Sequence, residues 1–170
     1  MHNSSLPTKS SPVLEISASG IGEWTSDDAI RVNDPDWDGT VGDESLIVFG
    51  LQQWLDEKNT RRFTEKRCGL VLNGDDDLES IVQDLNLFSL IVIEFPHFTD
   101  GRGFSVATQL RERYQYGGPL RASGYLLVDQ LSSLQRCGFD SFVFSNQVDA
   151  IEAVARLKGF SVAYQPSTSN

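Results

Sequence analysis

The sequence predicts an α/β domain with an open, mostly parallel or half-barrel-like sheet, built from repeated strand–helix units. Apolar runs of strand length begin near residues 69, 90, 120 and 141, and apolar residues at helical spacing follow each run. Strands that are apolar along nearly their whole length are typical of a parallel sheet joined by helices. Four such units are too few for a closed eight-stranded barrel. Small strands in the N-terminal third are expected to extend the sheet at its edge.

The N-terminal third has the least regular pattern. Acidic residues interrupt short apolar pieces between residues 13 and 45, which predicts turns between small strands, one of them at residues 30–32. A strand is then predicted over residues 46–49. A short helix is predicted over residues 51–58, with Trp54 facing the core.

From residue 69 onward the elements alternate regularly. A buried strand over residues 69–72 is followed by an acidic loop and by a helix, whose start Asp76 and Glu79 are expected to cap. The apolar stripe of that helix consists of Leu78, Ile81, Val82 and Leu85. Residues 90–95 (LIVIEF) are the clearest strand of the chain.

The C-terminal part repeats the same pattern twice more. Short strands are predicted over residues 120–123 and 141–145, and an edge strand over residues 160–164. One of the helices between them is expected to stop at Gly138. The apolar positions of the three helices are Phe104, Ala107, Leu110 and Tyr114, then Leu127, Leu131 and Leu134, then Val148, Ile151 and Ala155.

Composition limits the organisation and location of the protein. A chain of 170 residues can bury one core, which predicts a single domain over residues 13–165. Residues 1–12 and 166–170 are rich in Ser, Thr and Pro, so disordered tails are expected there. The sequence contains no apolar run of ~18 residues and no signal-peptide pattern near its start. A cytoplasmic protein without a membrane span is therefore expected.

The net charge of −10 limits the classes of partner. An acidic protein repels phosphate backbones and anionic lipid headgroups, so neither nucleic acid nor a membrane is expected as a partner. Cys68 and Cys137 lie far apart, outside any CxxC motif, and are interpreted as reduced structural thiols. Residues 34–41 resemble the first eight positions of a calcium-binding loop, but Ser45 occupies the position of the bidentate glutamate. No metal site is predicted.

The loop after the predicted strand 90–95 is the strongest candidate for a functional surface. In open α/β sheets ligands collect at the carboxyl ends of the strands. Residues 96–103 lead into a helix start and combine glycines, which open the backbone to a ligand, with an arginine suited to an oxyanion. Arg121, in the neighbouring predicted strand, is expected to approach from the side. The predicted anion-binding residues are Gly101, Arg102, Gly103 and Arg121, with Glu94, Thr99 and Asp129 as further candidates.

Two alternatives remain open for the same loop. In a structural interpretation, Asp100 and Thr99 cap the helix and Arg102 pairs with a carboxylate. In a catalytic one, His97 acts as a general base with Asp100 or Glu94. The chain contains no nucleophile elbow, dinucleotide fingerprint or P-loop, and no flavin, haem or iron–sulfur motif. No cofactor is predicted.

Residues 94–105 (EFPHFTDGRGFS) are similar to a segment of an uncharacterised bacterial family described as probable oxidoreductases involved in sulfite reduction. Shorter similar segments lie at residues 110–114, 118–124, 129–131, 136–140 and 164–165, so the resemblance covers about residues 45–165. It implies a role in assimilatory sulfite reduction, because the genes of that family lie beside those of the reductase. It supplies no catalytic residues. Family members usually have lysine at the position of His97 and an acidic residue at that of Tyr125.

Three functions follow from these observations. The leading hypothesis is an accessory protein of sulfate or sulfite assimilation that binds sulfite reductase, its electron donor or a small oxyanion. The second is an enzyme, an oxidoreductase or one acting on a small sulfur or phosphate compound, that uses the loop at residues 94–103. The third is a structural subunit without a ligand site, which predicts a large exposed apolar patch and no pocket.

Overall fold

The computed structural model describes residues 12–16, 22–26, 29–32, 46–58 and 67–145, together with residues 152 and 155. Its strands are β1 (Pro12–Ile16), β2 (Gly22–Ser26), β3 (Ala29–Val32), β4 (Leu46–Gly50), β5 (Cys68–Leu72), β6 (Phe88–Phe95), β7 (Leu120–Gly124) and β8 (Ser141–Phe144). Its α-helices are α1 (Leu51–Glu57), α2 (Arg102–Thr108) and α3 (Leu131–Arg136). A 3₁₀ helix spans Leu78–Leu87, a π-helical turn (Gln109–Arg113) continues α2, and a 3₁₀ turn (Val128–Gln130) precedes α3.

The described strands form one open sheet in the order β2-β1-β8-β7-β6-β5-β4-β3. Strands β3 to β8 are parallel and lie in chain order, whereas β1 runs antiparallel to both β2 and β8. The predicted fold class, an open and mostly parallel α/β sheet with small N-terminal strands, is confirmed.

The described helices cover one face of this sheet. When parallel strands follow one another in chain order, crossovers of a single hand place successive helices on the same side. In agreement with this, buried residues of the helices, such as Trp54, Ile81, Leu110 and Leu134, share one core cluster with alternate residues of the strands. A smaller cluster on the other face is built around Val48, Leu90 and Val92.

Most predicted elements are present where the pattern placed them, and the clearest strand is longer than expected. Cys68 pairs with Phe88 and Gly69 pairs with Leu90, so Ser89 bulges out of the ladder and β6 starts two residues before the uninterrupted apolar run. The described part of the predicted helix after β8 comprises Glu152 and Ala155, both helical. The predicted edge strand at residues 160–164, the calcium-like loop and the two tails lie outside the described residues.

The segment after β5 differs from the prediction in its type of helix. Leu78, Ile81 and Leu85 are buried as expected, but the segment winds as a 3₁₀ helix. A 3₁₀ helix rises ~2.0 Å per residue instead of ~1.5 Å, so the same ten residues carry the crossover farther back toward the start of the long strand β6. The residue that caps it is Asp77, whose carboxylate accepts from the backbone N–H of Glu79 at 3.0 Å. The predicted cap, Asp76, instead accepts from a backbone N–H within the preceding loop.

Arg111, in the π-helical turn, joins the helical layer to the amino ends of the last two strands. Its Nη1 donates to the carbonyl oxygens of Tyr116 and Gly118 at 2.6 and 2.7 Å. Its Nε and Nη2 donate to the carbonyl oxygen of Gly138 at 3.1 and 2.7 Å, and Nη2 also reaches Asp140 at 2.9 Å. All five N–H groups of the guanidinium therefore donate to protein acceptors.

Among the described segments, no helix is long and apolar enough to cross a membrane.

Candidate functional site

Two loops meet at the carboxyl edge of the sheet, one after β6 and one after β7. The backbone N–H of Tyr125 donates to the carbonyl oxygen of Phe95 at 2.9 Å. The side-chain amide of Gln130 then bridges both loops, because its Nε2 donates to the carbonyl oxygen of Phe98 at 3.2 Å and its Oε1 accepts from the N–H of Leu127 at 3.1 Å. These hydrogen bonds hold the two loops in a fixed relative position.

Two glycines allow this close approach. Gly124 has a φ of +119°, and a Cβ there would lie 2.4 Å from the carbonyl oxygen of Phe95. A Cβ on Gly103 would lie 2.5 Å from the Phe95 ring, so glycine lets α2 pack directly on that ring. Gly101 differs, because its φ is −82° and an added Cβ would meet no described atom within 4 Å. Packing therefore requires glycine at position 103 and not at position 101.

Arg102 lies between two carboxylates. Its Nε and Nη2 donate to the two oxygens of Asp100 at 2.8 and 2.6 Å, and its Nη1 donates to Asp75. The carboxylate of Asp100 also accepts from the backbone N–H of Arg102 at 3.1 Å, which satisfies one of the free N–H groups at the start of the helix. The hydrogen bonds from the Arg102 side chain and backbone lower the pKa of Asp100 to about 2, and the same side-chain bonds raise the pKa of Arg102.

The ion pairs of Arg102 agree with the structural interpretation of this loop, in which Arg102 pairs with a carboxylate. An oxyanion approaching the guanidinium would also meet the carboxylates of Asp75 and Asp100, and three of the five N–H groups already have acceptors. Thr99 is exposed, and the N-cap position is occupied by Gly101, so of the two predicted caps only Asp100 contacts a backbone N–H at the helix start. Oxyanion binding by Gly101, Arg102 and Gly103 remains a prediction, which these contacts do not favour.

The structure does not bring Arg121 to this loop. Arg121 is the second residue of β7, is 9% exposed, and is paired in register with Val92 and Ser141. Its Nε donates to the hydroxyl of Ser141 at 3.1 Å. The side chain lines a cavity at the amino ends of the strands, at the opposite edge from Arg102.

Among the described residues, the imidazole of His97 makes no hydrogen bond to the carboxylate of Asp100 or Glu94. His97 is exposed, and its carbonyl oxygen accepts from the backbone N–H of Asp100 at 3.0 Å. Asp100, with a pKa of about 2 and both oxygens engaged by Arg102, is a weak base. Glu94 is half-buried in β6 and Asp129 is exposed in the turn before α3. The described residues contain no group of three or more His, Cys, Asp or Glu that could hold a metal ion.

Sequence reasoning missed the exposure of three large apolar side chains on the two loops, Phe98, Tyr125 and Leu127, which together are named the apolar platform. Their exposed fractions are 57%, 59% and 43%. Phe98 and Tyr125 follow strand ends in the sequence, which was a usable signal, whereas Leu127 was predicted as an apolar helix position together with Leu131 and Leu134. That prediction is wrong for Leu127, which precedes the 3₁₀ turn and is exposed. Acidic residues lie near these positions in the sequence, with Asp129 two residues after Leu127 and Asp100 two residues after Phe98.

Comparison with known proteins places the chain in a family. A family model described as a bacterial protein of unknown function (DUF934) matches residues 69–170. That range includes β5 except its first residue, β6 to β8 and both loops of the carboxyl edge. A search among curated proteins finds no match. Because the family model covers more than half of the chain, this protein belongs to the DUF934 family of bacterial proteins of unknown function.

Proposed function

We propose that this protein is a non-catalytic accessory protein of assimilatory sulfite reduction, which binds a partner protein through the apolar platform. The observation that supports this most strongly is the exposure of Phe98, Tyr125 and Leu127 on loops held together by Gln130. Exposed aromatic residues on a rigid surface are typical anchors of protein–protein interfaces, because they bury much area at little cost in conformational entropy.

The contacts around Arg102 support binding over catalysis at the same edge. A weakly basic Asp100 and a guanidinium compensated by two carboxylates provide rigidity without a reactive group. The acidic residues near the platform and the net charge of −10 favour a partner with a basic contact surface. A basic contact surface is therefore the expected property of the partner protein.

The link to sulfite reduction depends on the resemblance of residues 94–105 to proteins associated with that process. This stretch is also the segment that carries Phe98 and the Arg102 ion pairs. The sulfite reductase and its electron donor are therefore the proposed partners. The alternative of an enzyme using the same loop has no support from a described acid–base pair.

Binding can be tested by biolayer interferometry with purified assimilatory sulfite reductase and, separately, its electron donor. The double substitution Phe98→Ala and Tyr125→Ala should weaken binding about tenfold or more, as expected when two interface aromatics are truncated. Leu87→Ala is the matched control, since Leu87 is 55% exposed but ends the 3₁₀ helix just before β6, at the opposite edge of the sheet. Equal affinities for the double variant and the wild type would contradict the platform.

The sulfur assignment has its own test. Deletion of the gene should slow growth on sulfate or sulfite as sole sulfur source, and cysteine should restore it. Complementation with the Leu87→Ala gene should restore growth, whereas the platform variant should not. Normal growth of the deletion strain on limiting sulfate would contradict the role in sulfite reduction.

A further inference from the structure

A cavity of about 630 Å³ lies at the amino edge of the sheet, away from the platform. Residues that precede or begin the parallel strands line it: Arg67 before β5, Ser89 near the start of β6, Pro119 before β7 and Asp140 before β8. A volume of this size is in the range of small-molecule sites and exceeds what an inorganic ion needs.

The lining of this cavity is cationic in a strongly acidic protein. Arg67, Arg111 and Arg121 contribute three guanidinium groups, and among the described lining residues Asp140 is the one carboxylate. The whole chain carries a net charge of −10. A local excess of positive charge against this background concentrates anions at the cavity.

The three arginines differ in what they can offer a ligand. Arg111 uses all five N–H groups on protein acceptors, so it contributes a fixed charge and no further hydrogen bond. Arg121 is buried, and its Nε is held by Ser141. Arg67 is exposed and makes no ion pair with the described residues. Arg67 is therefore the donor that can bind and release a ligand at the mouth of the cavity.

We infer that this cavity binds a small organic anion, whose phosphate, sulfate or carboxylate group pairs with Arg67 in front of the charges of Arg111 and Arg121. The apolar lining residues Leu46, Leu90 and Pro119 supply a surface for the body of such a ligand. The site lies at the opposite edge of the sheet from the platform and does not depend on the proposed partner binding.

The test is calorimetric titration of the full chain with phenyl phosphate, phenyl sulfate and benzoate, which share one body and differ in their anionic group. At least one of the three should bind saturably, more tightly than inorganic phosphate or sulfate and far more tightly than neutral phenol. The anion that binds tightest identifies the oxyanion class. Loss of one charge-assisted hydrogen bond in Arg67→Gln should weaken binding about tenfold or more.

Arg113→Gln is the matched control, because it removes the same charge from an exposed arginine that pairs with Glu79 and does not line the cavity. Its affinity should equal that of the wild type. Arg121→Gln, checked for folding by circular dichroism, should also weaken binding. The inference is overturned if none of the three aryl anions binds saturably, if phenol binds equally well, or if Arg67→Gln and Arg113→Gln change the affinity equally.

Discussion

Replacing Arg111 by methionine should destabilise the protein more than any other single surface-charge change among the described residues. Methionine keeps most of the aliphatic stem and removes the guanidinium, which donates to the carbonyl oxygens of Tyr116, Gly118 and Gly138 and to Asp140. Asp140 would keep its hydrogen bond from the N–H of the first residue of β7, at 2.9 Å. The three carbonyl groups would lose their side-chain donor.

The magnitude follows from these contacts. A hydrogen bond from a charged donor contributes about 1.5–3 kcal/mol when its acceptor cannot find a substitute, and bonds that share one donor group are not additive. The Arg111 side chain is 22% exposed, so water can replace part of what is lost. We therefore expect a loss of about 3 kcal/mol in the free energy of unfolding. For a chain of this length, that lowers the melting temperature by roughly 9 °C.

The assay is urea and thermal unfolding followed by far-UV circular dichroism, with Arg113→Met as the control. Arg113 lies two residues away and also stacks near a tyrosine ring, at 5.1 Å against 5.7 Å for Arg111. Its ion pair with Glu79 is about 60% exposed on both sides, so its loss should cost less than about 1 kcal/mol. If the two variants unfold at the same urea concentration, the carbonyl contacts of Arg111 do not stabilise the fold as argued.

Three further outcomes are expected. Gly124→Ala should lower the melting temperature by several degrees, because φ is +119° and the new Cβ would lie 2.4 Å from the carbonyl oxygen of Phe95. Gly117→Ala is the control and should change the melting temperature little, because a Cβ there would meet no described atom within 4 Å. The pKa of Asp100 is lowered to about 2, so its carboxylate stabilises the fold above pH ~4 and this contribution is lost as the pH falls through about 2. In acid titrations the difference in stability between the wild type and Asp100→Asn should therefore shrink over this range. A difference that stays constant would contradict the stabilising role of the Asp100 carboxylate. With Ellman's reagent, half-buried Cys137 should react before Cys68, whose thiol pKa burial raises; simultaneous reaction in the native state would show that Cys68 is accessible.

The sheet could be predicted from the sequence because its strands carry their own signal. The run at residues 90–95 is short, rich in β-branched residues and apolar at nearly every position, which is typical of a strand buried on both faces. Its start at Phe88 was not predictable, because Ser89 bulges out in response to the pairing with β5. The spacing of Leu78, Ile81 and Leu85 fits an α-helix, which places all three on one side, better than a 3₁₀ helix, which turns Leu85 about a third of a turn away from the other two. The sequence pattern therefore predicted the wrong type of helix for this segment.

The candidate site was predictable in its location and not in its contacts. Ligands of open α/β sheets collect at the carboxyl ends of the strands, which points to the loop at residues 96–103. This general rule does not predict that Asp75, from the loop after β5, accepts a hydrogen bond from Arg102. Arg121 was assigned to the same loop because β7 neighbours β6. Its position near the start of the strand already indicated the other edge, since a strand of five residues separates its two ends by about 13 Å.

The pairing of β1 with β8 affects how the chain folds during synthesis. Leu14 pairs with Phe142, so the first described strand completes its ladder with the last one. On the ribosome, β1 and β2 emerge long before β8 exists, so β1 has to wait for this partner until β3 to β7 have been made. Such a long-range contact slows folding, and a chain shortened before β8 leaves one edge of β1 open to pairing with other chains.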